Sequence, residues 1–282
     1  MNTLRTIFLL TVLTALLVVV GSLVGGRTGM MVMLVIGLAF QFLNFWFSSK
    51  IVLKVYGAKV LQPGEFPALQ QDVADLAAQA GLPMPKVAVI PKDAPNAFAT
   101  GRSPSNAVVA VTEGLLRVCD RRQGRAVLAH ELGHVKNRDM LTMTLVAGAV
   151  SAISMLAMMA RWGAILGHGN SRDRDGGFGA IAMILAAIFA PLIAMLVQLA
   201  ISRQREYGAD DASAEIAKDP GALADALEAL HRNIPAHQPL SATGATAHMM
   251  IANPFFGRTD MFSTHPSPEK RIARLRAMAA GR

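Results

Sequence analysis

The sequence predicts a mainly α membrane protein: four transmembrane helices, with an α+β domain containing a small sheet outside the bilayer. Three observations carry that expectation. Of the 282 residues, 52% are hydrophobic and only 16% are charged, a balance too apolar for an ordinary soluble domain of this length. The apolar residues gather in four blocks, 7–24, 30–47, 140–159 and 180–201, each near the ~20 residues a helix needs to cross a bilayer core. Between and after the blocks lie amphipathic helical patterns and short runs rich in valine and alanine.

The first block holds no charge, and the second is interrupted only by Gln41 and Asn44. Gly25-Gly26-Arg27-Thr28-Gly29 alone separates them, so residues 1–50 read as an N-terminal transmembrane hairpin. A cleaved secretory signal is the competing reading of the first block, with Arg5 as its basic residue. The second block follows at once without a convincing cleavage site, which favours an anchor.

Residues 51–139 form the next part. Phe66, Leu69, Val73, Leu76 and Ala80 recur by three and four, an amphipathic helix opened by Pro63-Gly64-Glu65. Residues 86–90 read as a short strand, and 96–100 with 107–111 flank a turn at 101–105 and read as a hairpin. Beside a helical site, the edge of such a hairpin can hold an extended peptide by backbone hydrogen bonds; the alternative is a small sheet that only buttresses the fold.

A proline-free stretch, 121–138, then carries Val127, Leu128 and Leu132 at helical spacing. Within it, His130-Glu131-Leu132-Gly133-His134 fits the pattern HExxH. Residues four apart share one face of a helix, so His130 and His134 can both aim a ring nitrogen at one Zn²⁺, at roughly 2.0–2.1 Å each. Glu131 lies one position round, able to reach a water without ligating. A zinc with one open position lowers the pKa of its water to about 7, and a neighbouring carboxylate can take the proton as a carbonyl is attacked. The bland alternative makes both histidines ordinary helix residues.

The third ligand is expected from a second helix. Glu206 and Asp210 stand at i, i+4 spacing in 202–211. Glu206 completes a His₂Glu set, and Asp210, one turn on, is placed to accept the other ring N–H of a ligating histidine. The alternative is a solvated acidic face.

Residues 140–202 read as a second transmembrane hairpin; a buried helical pair can also be apolar all round. The spans and the motif constrain each other. His134 and Glu206 must meet on one side of the membrane, and two crossings return the chain to the side it left. The third block begins at residue 140, which places it roughly 9 Å beyond His134 on a continuous helix. Arg5, Lys50, Lys54, Lys136, Arg138, Arg203 and Arg205 fall on the motif's side, which makes that side cytosolic. Arg27 marks the first opposite loop, while Arg161, Arg172 and Arg174 in the second weaken the bias without reversing it.

Residues 203–282 complete the cytosolic part. Leu223, Leu227 and Leu230 mark a packing helix, 233–268 reads as a long loop, and 270–276 is a basic helix. The net charge of +8 would ordinarily raise nucleic-acid binding. No basic cluster is interleaved with aromatics, and anionic lipid beside the spans accounts for much of the excess. The single cysteine, Cys119, permits no internal disulfide, as a reducing compartment requires.

These residues together resemble the HtpX membrane zinc proteases, relatives of the CAAX prenyl proteases. The resemblance rests on 130–134 followed by a span, on 202–210, and on two further segments, 96–101 and 262–271, and it covers essentially the whole chain. It implies a multi-pass protease of the bacterial inner (cytoplasmic) membrane with a cytosolic, zincin-like catalytic domain. The work it implies is quality control, with misfolded or damaged membrane proteins as substrates and stress response as the setting. By residue, it implies one Zn²⁺ held by His130, His134 and Glu206, Glu131 as general base, and a substrate-binding edge at Asn96, Ala97 and Ala99. His265 and Arg271 become candidates for stabilising the oxyanion or ordering the cleft; for His265 the alternative is a loop leading into the last helix. A prenyl-peptide protease and a scaffold with structural zinc are the competing functions. The first needs a lipid chamber larger than four spans supply. The second has no use for Glu131, since a closed structural site takes four protein ligands.

Overall fold

The computed structural model describes residues 2–140, 203–233 and 267–281. The elements in chain order are α1 (Asn2–Tyr56), β1 (Lys59–Val60), α2 (Pro67–Ala80), β2 (Lys86–Ile90), β3 (Ala97–Thr100), β4 (Val108–Thr112), α3 (Glu113–Val118) and α4 (Arg121–Lys136), followed by α5 (Arg203–Ala217), α6 (Pro220–Asn233) and α7 (Pro268–Ala280). Two compact units divide the chain, 1–45 with 145–200 and 46–144 with 201–282.

Within α1 the chain reverses. Thr14 and Gln41 would stand ~40 Å apart on a straight helix, yet the Gln41 amide donates to the Thr14 hydroxyl at 2.6 Å. The reversal falls at Gly26, whose φ of 56° lies in the left-handed region that costs glycine little. The chain thus folds back on itself within the glycine-rich stretch 25–29. Among the described residues one segment is long and apolar enough to cross a membrane, Gly26–Phe47. The third and fourth apolar blocks lie outside the described residues, apart from Met140, as does the loop expected at 161–179. Of the loop expected at 233–268, residues 234–266 lie outside them, while Asn233 ends α6 and Pro268 starts α7.

The sheet has the order β1-β2-β4-β3. β2 runs parallel to β4, with Ala88 opposite Ala110, while β3 is antiparallel to β4, with Phe98 opposite Ala110. Alternation along these strands supplies two apolar faces. Ala88, Ile90, Phe98, Val108 and Ala110 pack under Val52 and Tyr56 at the end of α1. Val87, Val89, Ala97, Ala99, Val109 and Val111 face the larger core built with α2, α4 and α6. The sheet is therefore a middle layer, with β3 at its edge.

Helix α4 starts at a capping box. Asp120 accepts from the Gln123 backbone N–H at 2.8 Å, and the Gln123 side chain accepts from the Asp120 N–H at 3.1 Å. Its first turn is tied to α2 by Asp72, which is buried between Arg121 and Arg125, and to α6 by Arg122 on Asp225 and on Asp219 just before that helix. β1 and α3 have no counterpart in the sequence-based expectations. Both are too short to show periodicity.

Candidate metal centre

Helices α4 and α5 cross with almost nothing between them. A Cβ at Gly133 would lie 2.9 Å from the Ala212 side chain and 3.2 Å from the Ala209 carbonyl oxygen. Ser213 adds a buried hydrogen bond to the Ala126 carbonyl at 2.9 Å. Glycine on one helix and alanines on the other let the axes approach, and that approach brings Glu206 to the two histidines.

His130, His134 and Glu206 are buried, and one ligating atom from each lies within 4.8 Å of the others. Nε2 of His130 is 3.7 Å from one Glu206 oxygen, and Nε2 of His134 is 3.6 Å from the other. The rings stand edge to face, their centroids 4.8 Å apart. Each ring has its other nitrogen against a separate acid: Nδ1 of His130 lies 3.1 Å from Asp210, and Nδ1 of His134 lies 3.2 Å from Asp139. In a neutral ring an acid at Nδ1 keeps the proton there, so Nε2 is the nitrogen left to face the common centre.

Asp139 was not anticipated from the sequence. It follows the end of α4, where Arg138 takes a φ of 58° and turns the chain back. The available signal was an acid five residues past the second histidine, but a local pattern does not announce a left-handed arginine.

Arg271, only 2% exposed, enters from α7. Its Nε and one terminal nitrogen donate to the two Asp210 oxygens at 3.0 and 2.6 Å, and its other terminal nitrogen is 3.4 Å from Glu206. Both ends of the guanidinium are thus engaged with acids of α5, a geometry that orders the acid pair. His265 lies outside the described residues.

Charge balance tests whether a cation fits. Glu131, Glu206, Asp210 and Asp139 are all buried, and Arg271 supplies an opposing charge in contact with two of them, Glu206 and Asp210. Burial, with the Glu206 carboxylate nearby, pushes Glu131 up to about 7. Burial opposes charge on His134, but Asp139, Glu206 and Glu131 outweigh it and lift that ring to about 9. His130 moves the other way, lowered by burial against the pull of Asp210. Burial would raise Asp210 too; Arg271 and His130 overcome that and hold it low. A site that draws protons onto a histidine and a glutamate suits a cation, and two imidazoles with a carboxylate suit a divalent one of borderline softness.

Edge strand β3 runs beside α4. Asn96 exchanges bonds with Thr112: its carbonyl accepts from the Thr112 N–H at 2.9 Å, and its own N–H donates to the Thr112 hydroxyl at 2.8 Å. Since antiparallel pairs alternate, the backbone groups of Ala97 and Ala99 point away from β4. The Ala99 N–H reaches the Glu131 carboxylate. Of Asn96, Ala97 and Ala99, the structure brings Ala99 into contact with Glu131.

Residues 63–279 match peptidase family M48. A protease HtpX homolog of Desulfatibacillum aliphaticivorans is 50% identical over 276 residues, covering 97% of this chain and 89% of its own. One from Pyrococcus furiosus is 50% identical over 278 residues, covering 98% and 95%. The crystal structure of S. mikatae Ste24p shares the fold, with a TM-score of 0.52 at 18% identity over 86% of this chain and 57% of that one. The present chain thus spans little more than half the length of that solved neighbour. Half-identical relatives along nearly its whole length, with the family matched over 63–279, show that the chain belongs to peptidase family M48, in its HtpX group.

Proposed function

We propose that this protein is a zinc-dependent endopeptidase of the inner (cytoplasmic) membrane, hydrolysing misfolded or damaged membrane proteins at the cytosolic face. The observation that carries the chemistry is the arrangement around Glu206: two Nε2 atoms at 3.6 and 3.7 Å, each ring oriented from behind by its own acid. His130, His134 and Glu206 would hold the ion. Zn²⁺ there supplies Lewis-acid activation of water and of the scissile carbonyl.

The chain's own residues do the rest. Glu131 sits outside the ligand set and, near neutrality, can take a proton from the attacking water and pass it to the leaving amine. No covalent enzyme intermediate is needed. Arg271 holds Asp210 and Glu206 in place. The outward backbone of Ala97 and Ala99 would pair with an extended substrate. Both alanines are almost fully buried, so this edge opens before a substrate strand enters. The apolar helix segment Gly26–Phe47 supports membrane placement, and Lys50 and Lys54 just beyond it support a cytosolic catalytic part.

The purified full chain, incubated with unfolded casein with and without chelator, tests the reading. Hydrolysis lost with chelator and restored by Zn²⁺ is the expected result. Hydrolysis indifferent to chelator excludes it.

A further inference from the structure

Edge strand β3 is clamped to the end of α1 at two points. Phe98 packs on Tyr56, ring centroids 5.3 Å apart, and the Arg102 guanidinium lies over the Trp46 ring at 3.8 Å. Four chain steps lead from Phe98 to Arg102, which lies two residues past the end of β3, at most about 13 Å. Ten helical residues separate Tyr56 from Trp46, about 15 Å. The two lengths are comparable and the paired contacts run in opposite chain directions, so the segment from Phe98 to Arg102 leads back along the end of α1 from Tyr56 to Trp46. Trp46 stands at the end of the apolar segment Gly26–Phe47, a position where tryptophan marks the membrane–water boundary. Lys50, the next cation along, lies 5.8 Å from the Phe47 ring. Ala99, whose N–H meets Glu131, comes three residues before Arg102, about 10 Å along the strand.

We propose that the Arg102–Trp46 contact holds the catalytic strand at a fixed height above the bilayer, so that transmembrane polypeptides are cut within about three to six residues of the end of their apolar segment. The substrate class is a chain that leaves the membrane beside α1 and pairs with β3 in extended form. Extended chain advances about 3.3 Å per residue, so the ~10 Å from Arg102 to Ala99, the residue that meets Glu131, sets the lower end of that range at about three residues. Arg102 is a positioning residue that acts through β3. This inference rests on the peptidase reading above and adds a ruler to it.

The test uses the full chain in liposomes. Substrates carry one transmembrane helix and a flexible cytosolic tail of about 30 residues, cut sites are mapped by mass spectrometry, and unfolded casein is assayed beside them. Wild-type cuts should cluster next to the apolar segment, and lengthening that segment should move the cuts outward with its new end. Arg102→Ala and Trp46→Ala should scatter the cuts along the tail while casein hydrolysis is retained; Arg102→Lys, which keeps a cation over the ring, should scatter them less. Wild-type cuts spread evenly along the tail, with casein still hydrolysed, overturn the ruler and leave the peptidase standing. Clusters unchanged in both alanine variants overturn the role of the contact. Casein untouched by the wild type overturns both readings together.

Discussion

Asp210 stands 3.1 Å from Nδ1 of His130, one helical turn beyond Glu206, which faces Nε2 of the same ring at 3.7 Å. One imidazole is thus divided between two acids of one helix, with separate tasks: Glu206 shares the centre where an ion would sit, and Asp210 fixes the ring. Asp139 repeats the second task for His134 at 3.2 Å.

Glu206→Ala should therefore lose metal and activity together. Asp210→Ala and Asp139→Ala should each weaken metal affinity or activity by roughly 10–100-fold, as changes behind the ligands do. Titration of chelator-stripped protein with Zn²⁺ measures all three. Release of metal by Asp210→Ala with retention in Glu206→Ala would reverse the assignment.

How much of this was legible beforehand follows from locality. His130 and His134, like Glu206 and Asp210, are i, i+4 pairs, and helical spacing alone puts each pair on one face. The reversal at Gly26 was visible because glycine is what a left-handed turn asks for. Asp139 was not, because its reach to His134 depends on a left-handed Arg138. Only the family resemblance points to Arg271; its bonds to Asp210 join residues far apart in sequence, and no periodicity encodes them. The edge position of β3 depends on strand order, which the hairpin pattern leaves open.

Glu131→Gln should keep the metal and abolish proteolysis. The amide has nearly the carboxylate's shape but cannot accept the water's proton. Metal analysis and a casein assay on one preparation decide it. Full activity in the variant would exclude Glu131 as the base.

Metal uptake should strengthen as pH rises towards 9. In the metal-free site His134 is lifted to about 9, so below that value a proton must leave before the ring can ligate. One displaced proton gives up to about tenfold in apparent affinity per pH unit. The gain should level off above about 9, where the ring is already neutral. Calorimetric titrations across this range, in buffers of different ionisation enthalpy, count the protons released. A pH-independent affinity from 6 to about 9 would contradict the charge balance described for the site.

Gly133→Leu should separate α4 from α5. A Cβ there already meets Ala212 at 2.9 Å, and overpacking of this kind costs about 1–3 kcal/mol. Because Glu206 rides on α5, metal affinity should fall along with thermal stability. Gly133→Ala places that Cβ against Ala212 and the Ala209 backbone, none of which moves without its helix, so it should act in the same direction but lose less of both than leucine. Wild-type affinity in the leucine variant would show that the helices do not set the ligand distance.

Reporter fusions after Lys54, near Asn170 and after Arg282 should give cytosolic, opposite-side and cytosolic signals in turn. The argument is one of parity. His134 and Glu206 approach within 3.6 Å, so the segment joining them crosses the membrane an even number of times. Two crossings fit the apolar blocks 140–159 and 180–201, each near the ~20 residues required. The fusion near Asn170 is the decisive one, since it alone separates two spans from none. A cytosolic signal there would leave the N-terminal hairpin as the anchor and turn the second pair into a soluble core. The metal chemistry would survive that outcome. The ruler built on Trp46 would survive it too, because it rests on the end of α1 and the segment of β3 beside it.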